Sequence, residues 1–182
     1  MEHETILNEL RLQFSRIMEV KEKLDNKTNS MMGIAGTMAT LLGGFGVLLF
    51  DKLDLNYVNT NYVAMFFISS IIAFVITIVF TILAHLLRNY SYPYDESTRI
   101  KDGNADRIWI SKIGKLNEKQ FLQNLIANYL ECLNNNTKSN SAKTIFLTYS
   151  HYFFLAGIIS MVILVIFIVD AFYKQALSPI SL

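Results

Sequence analysis

Few side chains in this sequence stand in patterns that could do chemistry. Asp102 and Asp106 lie four positions apart, and a carboxylate pair is the least that could hold a divalent cation. Both fall in a hydrated loop, so no metal site is expected there. His85 and His151 are expected at similar cytoplasmic depth on two membrane spans, where they could form a pH-sensitive pair, although histidines at headgroup level with no role are the commoner case. There is no His-Glu-x-x-His helix, no glycine-rich loop after a strand, no cysteine pair for zinc and no nucleophile elbow. We therefore expect no catalytic residue, no metal, no resident cofactor and no enzyme activity. The most informative spacing is Gly36, Thr40 and Gly44, small residues every four positions on one helix face. Such a face lets helix backbones approach closely. Thr37 and Thr40 can instead line a narrow water path, and residue type favours packing.

The elements that must carry these residues are membrane spans. Three stretches hold no Asp, Glu, Lys or Arg: Ser30–Phe50, Leu55–Leu87 and Thr144–Val169. At about 1.5 Å per residue, roughly 20 helical residues cross the hydrocarbon core. The runs are too long for the alternating segments of a membrane barrel. The sequence therefore predicts an all-α integral membrane protein with three transmembrane helices, an N-terminal amphipathic cytoplasmic helix and a small helical cytoplasmic module. The expected boundaries are 1–29 for the amphipathic helix, 30–50 for span one, 51–61 for an external loop and 62–87 for span two. The module follows at 88–145, then span three at 146–172 and an external tail at 173–182. Apolar and aromatic residues make up 52% of the chain and the formal charge is +1, which fits a lipid bilayer and excludes a nucleic-acid surface. The single cysteine, Cys132, excludes an intramolecular disulfide. The first 29 residues are charged and are not expected to be a signal peptide, so span one must direct insertion.

Orientation follows from Lys and Arg. Five precede span one, nine lie between Arg88 and Lys143, and the two expected external segments carry only Lys52 and Lys174. By the positive-inside rule the N-terminus and the module face the cytoplasm, in a cell inner membrane. Span two carries a polar stripe of Ser70, Thr77 and Thr81, which reads as packing more readily than conduction. Span three is almost wholly aliphatic from Phe153 to Val169 and reads as lipid-facing. No span has a mid-membrane acid or base of the kind a pump or carrier uses.

In the N-terminal segment Ile6, Leu10, Phe14, Ile17 and Leu24 recur at helical steps. Interleaved charges of both signs favour protein contact over a lipid surface, with either the module or the same helix of a neighbour. In the module, 89–106 is turn-rich, with Tyr92-Pro93-Tyr94 and Asp102-Gly103-Asn104. Asn117 reads as an N-cap with Gln120 as its capping-box partner, opening a helix whose apolar face runs from Phe121 to Leu133. The N-terminal helix is the available surface for that face. Asn134–Asn136 and Ser139–Ser141 are weak helix formers and read as a polar link to span three.

A family resemblance rests on two stretches. Leu24-Asp25-Asn26-Lys27-Thr28, leading into the glycine-rich span, resembles the Asp-x-Lys-Ala lead-in of the transmembrane effectors of Pycsar, the bacterial pyrimidine-cyclase antiphage system. Residues Arg107 to Leu122 (RIWISKIGKLNEKQFL) are similar to that family's aromatic-rich segment followed by a short Glu-containing helix. Length and order of elements also match. Thr28 stands where the family has alanine, and Trp109 and Ser111 where it has phenylalanine and glycine. The SLATT membrane effectors are more distantly similar. The resemblance implies a homo-oligomeric effector that impairs inner-membrane integrity in abortive infection, once a partner nucleotide cyclase makes a cyclic pyrimidine nucleotide. Candidates for gripping that anion are Arg99, Lys101, Arg107, Lys112 and Lys115, with Trp109 or Tyr94 as a stacking surface. Gly36, Thr37, Thr40 and Gly44 are the candidates for oligomer packing or a pore. The alternative is an accessory subunit of a membrane complex or a constitutive small channel.

Overall fold

The computed structural model describes residues 2–52, 60–87, 90–93 and 117–177. These form three helices: α1 (Glu2–Lys52), α2 (Thr60–Leu86) and α3 (Glu118–Leu177). The residues divide into two compact units, one of Met1–Asn26 with Leu87–Lys143, the other of Lys27–Leu86 with Thr144–Leu182. Two stretches, Asn61–Leu86 and Glu118–Lys174, are long and apolar enough to cross a membrane. Only 22% and 11% of their most apolar windows are buried, whereas the core helix of a soluble protein would be mostly covered.

α3 begins where the capping box places it. The Gln120 amide N–H donates to Asn117 Oδ1 at 2.9 Å, and the Asn117 N–H donates to Gln120 Oε1 at 3.3 Å. The expected link at 134–141 is absent, because α3 runs through it without a break. Low helix propensity is overridden there by tertiary contacts: Asn136 and Asn140 are buried and their side chains are engaged elsewhere. The amphipathic helix and the first apolar run are likewise one element, α1.

The core of the first unit joins Leu7, Leu10 and Phe14 of α1 to Leu125, Tyr129, Cys132 and Leu133 of α3. Phe14 meets the Tyr129 ring edge-on at 5.9 Å, and the Tyr92 ring at 6.3 Å. α1 is thus the surface that covers the apolar face of α3. Ile6, expected on the buried stripe, is 43% exposed, and Leu7 takes its place.

In the second unit Leu42, Phe74 and Leu164 form the core, flanked by Met38, Phe66, Phe154 and Met161. α2 and α3 run antiparallel, with Phe66 stacked on Phe167 and Phe80 stacked on Tyr149 and Phe153. A Cβ on Gly157 would come within 3.0 Å of the Phe74 ring, and one on Gly46 would collide with Phe67. Met65, Ile68, Ile72, Val75 and Val79 of α2, and Ile159, Val162, Ile166 and Val169 of α3, point outward.

Candidate functional site

Both long helices carry a buried position every seventh residue, half-buried at Lys21. On α1 these are Leu7, Phe14, Lys21, Thr28, Ala35 and Leu42; on α3 they are Tyr129, Asn136, Lys143, Ser150, Gly157, Leu164 and Ala171. A sustained seven-residue repeat is the signature of left-handed, coiled-coil-like packing. In both helices the ends of the stripe are apolar and the middle is polar or small. Sequence reading missed this pattern, although the spacing was there to be found.

In the first unit the polar part of the stripe forms a compact cluster around Tyr90. Lys143 is fully buried and ion-paired with Asp25, whose side chain is 28% exposed. The Lys143 ammonium lies 5.4 Å from the centroid of the Tyr90 ring, and the Lys21 ammonium lies 4.7 Å from it. Lys21 also donates to the Tyr92 hydroxyl at 3.2 Å. The Tyr90 hydroxyl donates to Asn140 Oδ1 at 2.5 Å, and Asn140 Nδ2 donates to the Ile17 carbonyl at 3.2 Å. Burial, then the Asp25 carboxylate, then Tyr92, push the Tyr90 phenol up to about 12. The non-helical residues Tyr90–Pro93 are therefore a strap, tied to both helices through polar groups.

An open groove of about 480 Å³ lies along α1, its described lining being Ser15, Met18, Glu19, Lys21, Glu22 and Asp25. Three carboxylates against one ammonium do not suit an anion.

The glycine-rich face of α1 has a different character. A Cβ at Gly33, Gly36, Gly43 or Gly44 would meet no heavy atom of the described residues within 4 Å. Thr37, Thr40 and Gly44 are exposed. The Thr37 and Thr40 hydroxyls each donate to the carbonyl four residues back, Gly33 and Gly36, at 2.9 Å. Their polarity is thereby spent within the helix.

Ser70, Thr77 and Thr81 of α2 are all buried. Thr81 shares a hydrogen bond of 2.9 Å with Ser150, and Ser150 donates to the Thr77 carbonyl at 3.2 Å. This stripe is packing between α2 and α3. The same antiparallel register puts His151 beside the Thr77–Thr81 turn, roughly a helical turn short of His85, so the two histidines are not side by side.

Arg99, Lys101, Arg107, Trp109, Lys112 and Lys115, together with Tyr94, lie outside the described residues, as do Asp102 and Asp106. Among the described residues there is no group of three or more His, Cys, Asp or Glu side chains placed to hold a metal. No protein family, characterised protein or solved structure matches the chain.

Proposed function

We propose that this chain is a three-span membrane effector whose copies associate through α1 and impair the inner membrane when a signal arrives. In this reading 30–50 of α1 is span one, α2 supplies span two and 146–172 of α3 supplies span three. The N-terminus and 88–145 face the cytoplasm, which accords with the fourteen-to-two distribution of Lys and Arg. The observation that carries the reading is the contrast among glycines. Gly46 and Gly157 are filled by Phe67 and Phe74, whereas among the described residues Gly33, Gly36, Gly43 and Gly44 have no neighbour over them, as a surface reserved for another helix would.

The signal is the part that rests on the family resemblance: a cyclic pyrimidine nucleotide made by a partner cyclase, gripped by Arg99, Lys101, Arg107, Lys112 and Lys115 with Trp109 stacked on the base. A ligand shifts an assembly toward its open state only by binding that state more tightly. Co-expression with an active pyrimidine cyclase should depolarise the inner membrane and stop growth, while the chain alone should not. Arg107→Ala with Lys112→Ala should abolish the response at unchanged membrane abundance. Charge-assisted contacts contribute roughly 1.5–3 kcal/mol each, so losing two weakens binding by about two to four powers of ten. Depolarisation that is equal with and without the cyclase would establish a constitutive channel instead. Co-purification with a different chain, and no self-association, would establish an accessory subunit.

A further inference from the structure

The core of the first unit is unlike itself from end to end. Around Phe14 and Tyr129 it is apolar, and separating the helices there would expose large hydrophobic side chains to water. Around Lys143 it is polar: Asp25 and Lys21 on α1, Asn136, Asn140 and Lys143 on α3, with Tyr90 and Ser91 of the strap between them. Hydrogen bonds of this kind are exchanged for water almost evenly. The attraction in a buried ion pair is likewise largely offset by the desolvation of its members. The polar end is therefore where α1, α3 and the strap separate at least cost, provided that both charges reach water together. A polar residue at one position of a seven-residue stripe specifies a single arrangement at the expense of stability, and Asn136 and Lys143 occupy two successive positions.

We propose that the Asp25–Lys143 pair, with Tyr90, Asn136 and Asn140, is a releasable lock: an autoinhibitory contact that holds the first unit at rest and parts when the effector is activated. The activation step rests on the effector reading above. The strap is the start of the connection that continues into 99–115, where the candidate ligand cations lie. Its anchors are Asn136, which holds both backbone groups of Ser91, and Asn140, which holds the Tyr90 hydroxyl. An apolar pair at 25 and 143 would fill the same space without being able to let go, and that difference is what the ion pair supplies.

Amide hydrogen exchange on the full chain in lipid nanodiscs tests the lock with no ligand present. Asp25→Leu leaves the buried Lys143 ammonium unpaired. It should speed exchange at 136–143 by roughly tenfold or more while leaving 121–133 within about threefold of wild type. Asp25→Leu with Lys143→Met should exchange at 136–143 as slowly as wild type or more slowly. The charge swap Asp25→Lys with Lys143→Asp should bring the rates back towards wild type. In cells, Asp25→Leu should arrest growth without a cyclase, and the double apolar variant should resist arrest when the cyclase is co-expressed. Uniform acceleration across 121–143 in Asp25→Leu, or faster exchange in the double apolar variant, would overturn the lock. The expected exchange pattern in a chain whose wild type ignores the cyclase would support the lock and overturn the effector reading.

Discussion

Asn136 holds both backbone groups of Ser91: its amide donates to the Ser91 carbonyl at 2.9 Å, and its carbonyl accepts from the Ser91 N–H at 2.8 Å. A side-chain amide in this pose mimics a strand neighbour, and it is what lets a non-helical strap lie against a helix with its polar groups satisfied. Asn136→Ala leaves a half-buried donor and acceptor unpaired, at a cost of about 1–3 kcal/mol. The Ser91 N–H, which loses its acceptor, reports the effect. Its hydrogen exchange should quicken roughly tenfold in the variant, through more frequent opening of the strap. An unchanged rate would show that the Ser91 contact contributes nothing to closure.

The glycines separate two kinds of position. Gly157→Leu should prevent normal packing of α2 on α3, because its side chain would meet Phe74 at once. Gly36→Leu with Gly44→Leu should leave each copy folded and shift the detergent-purified protein to smaller species, since no described residue fills those positions. Native mass spectrometry that finds the same assembly in wild type and the second variant would move the interface off α1.

Tyr90 gives a pH signature. Its phenol ionises at about 12 in the folded chain, against an ordinary value of 10.0, so the folded form holds the proton more tightly. The contribution to stability is complete below about pH 10 and disappears as pH rises through about 12. The difference between the tyrosinate absorbance titrations of wild type and Tyr90→Phe should show one phenol titrating late. A difference curve centred near 10 would mean that neither burial nor Asp25 acts on this group.

Topology is best read on exposed positions, since the native cysteine is buried. In a Cys132→Ser background, Lys174→Cys should react with an impermeant maleimide in intact cells and Thr137→Cys should react only after lysis; both positions are exposed on α3. Labelling of residue 137 from outside would reverse the orientation.

The helical class and the start of α3 were legible because their signals are local. A capping box needs only Asn117 and Gln120, and helix periodicity around Phe14 or Tyr129 needs only its own turn. The polar link expected at 134–141 is continuous helix instead, because asparagine propensity is set by what the side chain can reach, and the reach of Asn136 and Asn140 extends to Ser91, Tyr90 and Ile17. By sequence alone Lys143 is one more topological charge. Nothing near it in sequence reveals that its partner is Asp25. The spacing of Tyr129, Asn136, Lys143, Ser150 and Gly157 by sevens is the available signal, obscured because an apolar periodicity does not register its polar members.

The Asp25–Lys143 pair joins residues 118 positions apart, and the Asn140 contact to the Ile17 carbonyl spans 123. During synthesis α1 and α2 are therefore complete long before the helix that closes the first unit has left the ribosome. Until then Asp25 and Lys21 stay hydrated, and the apolar face around Phe14 has no cover of its own. Contacts this distant in sequence cannot form until α3 has emerged, which leaves a nascent intermediate with an adhesive N-terminal helix. A chain truncated before Asn117 would lack a shared wall of both cores, so the natural fragment to supply in trans is α3 itself, and recovery of a protected Cys132 in that fragment would mark productive assembly.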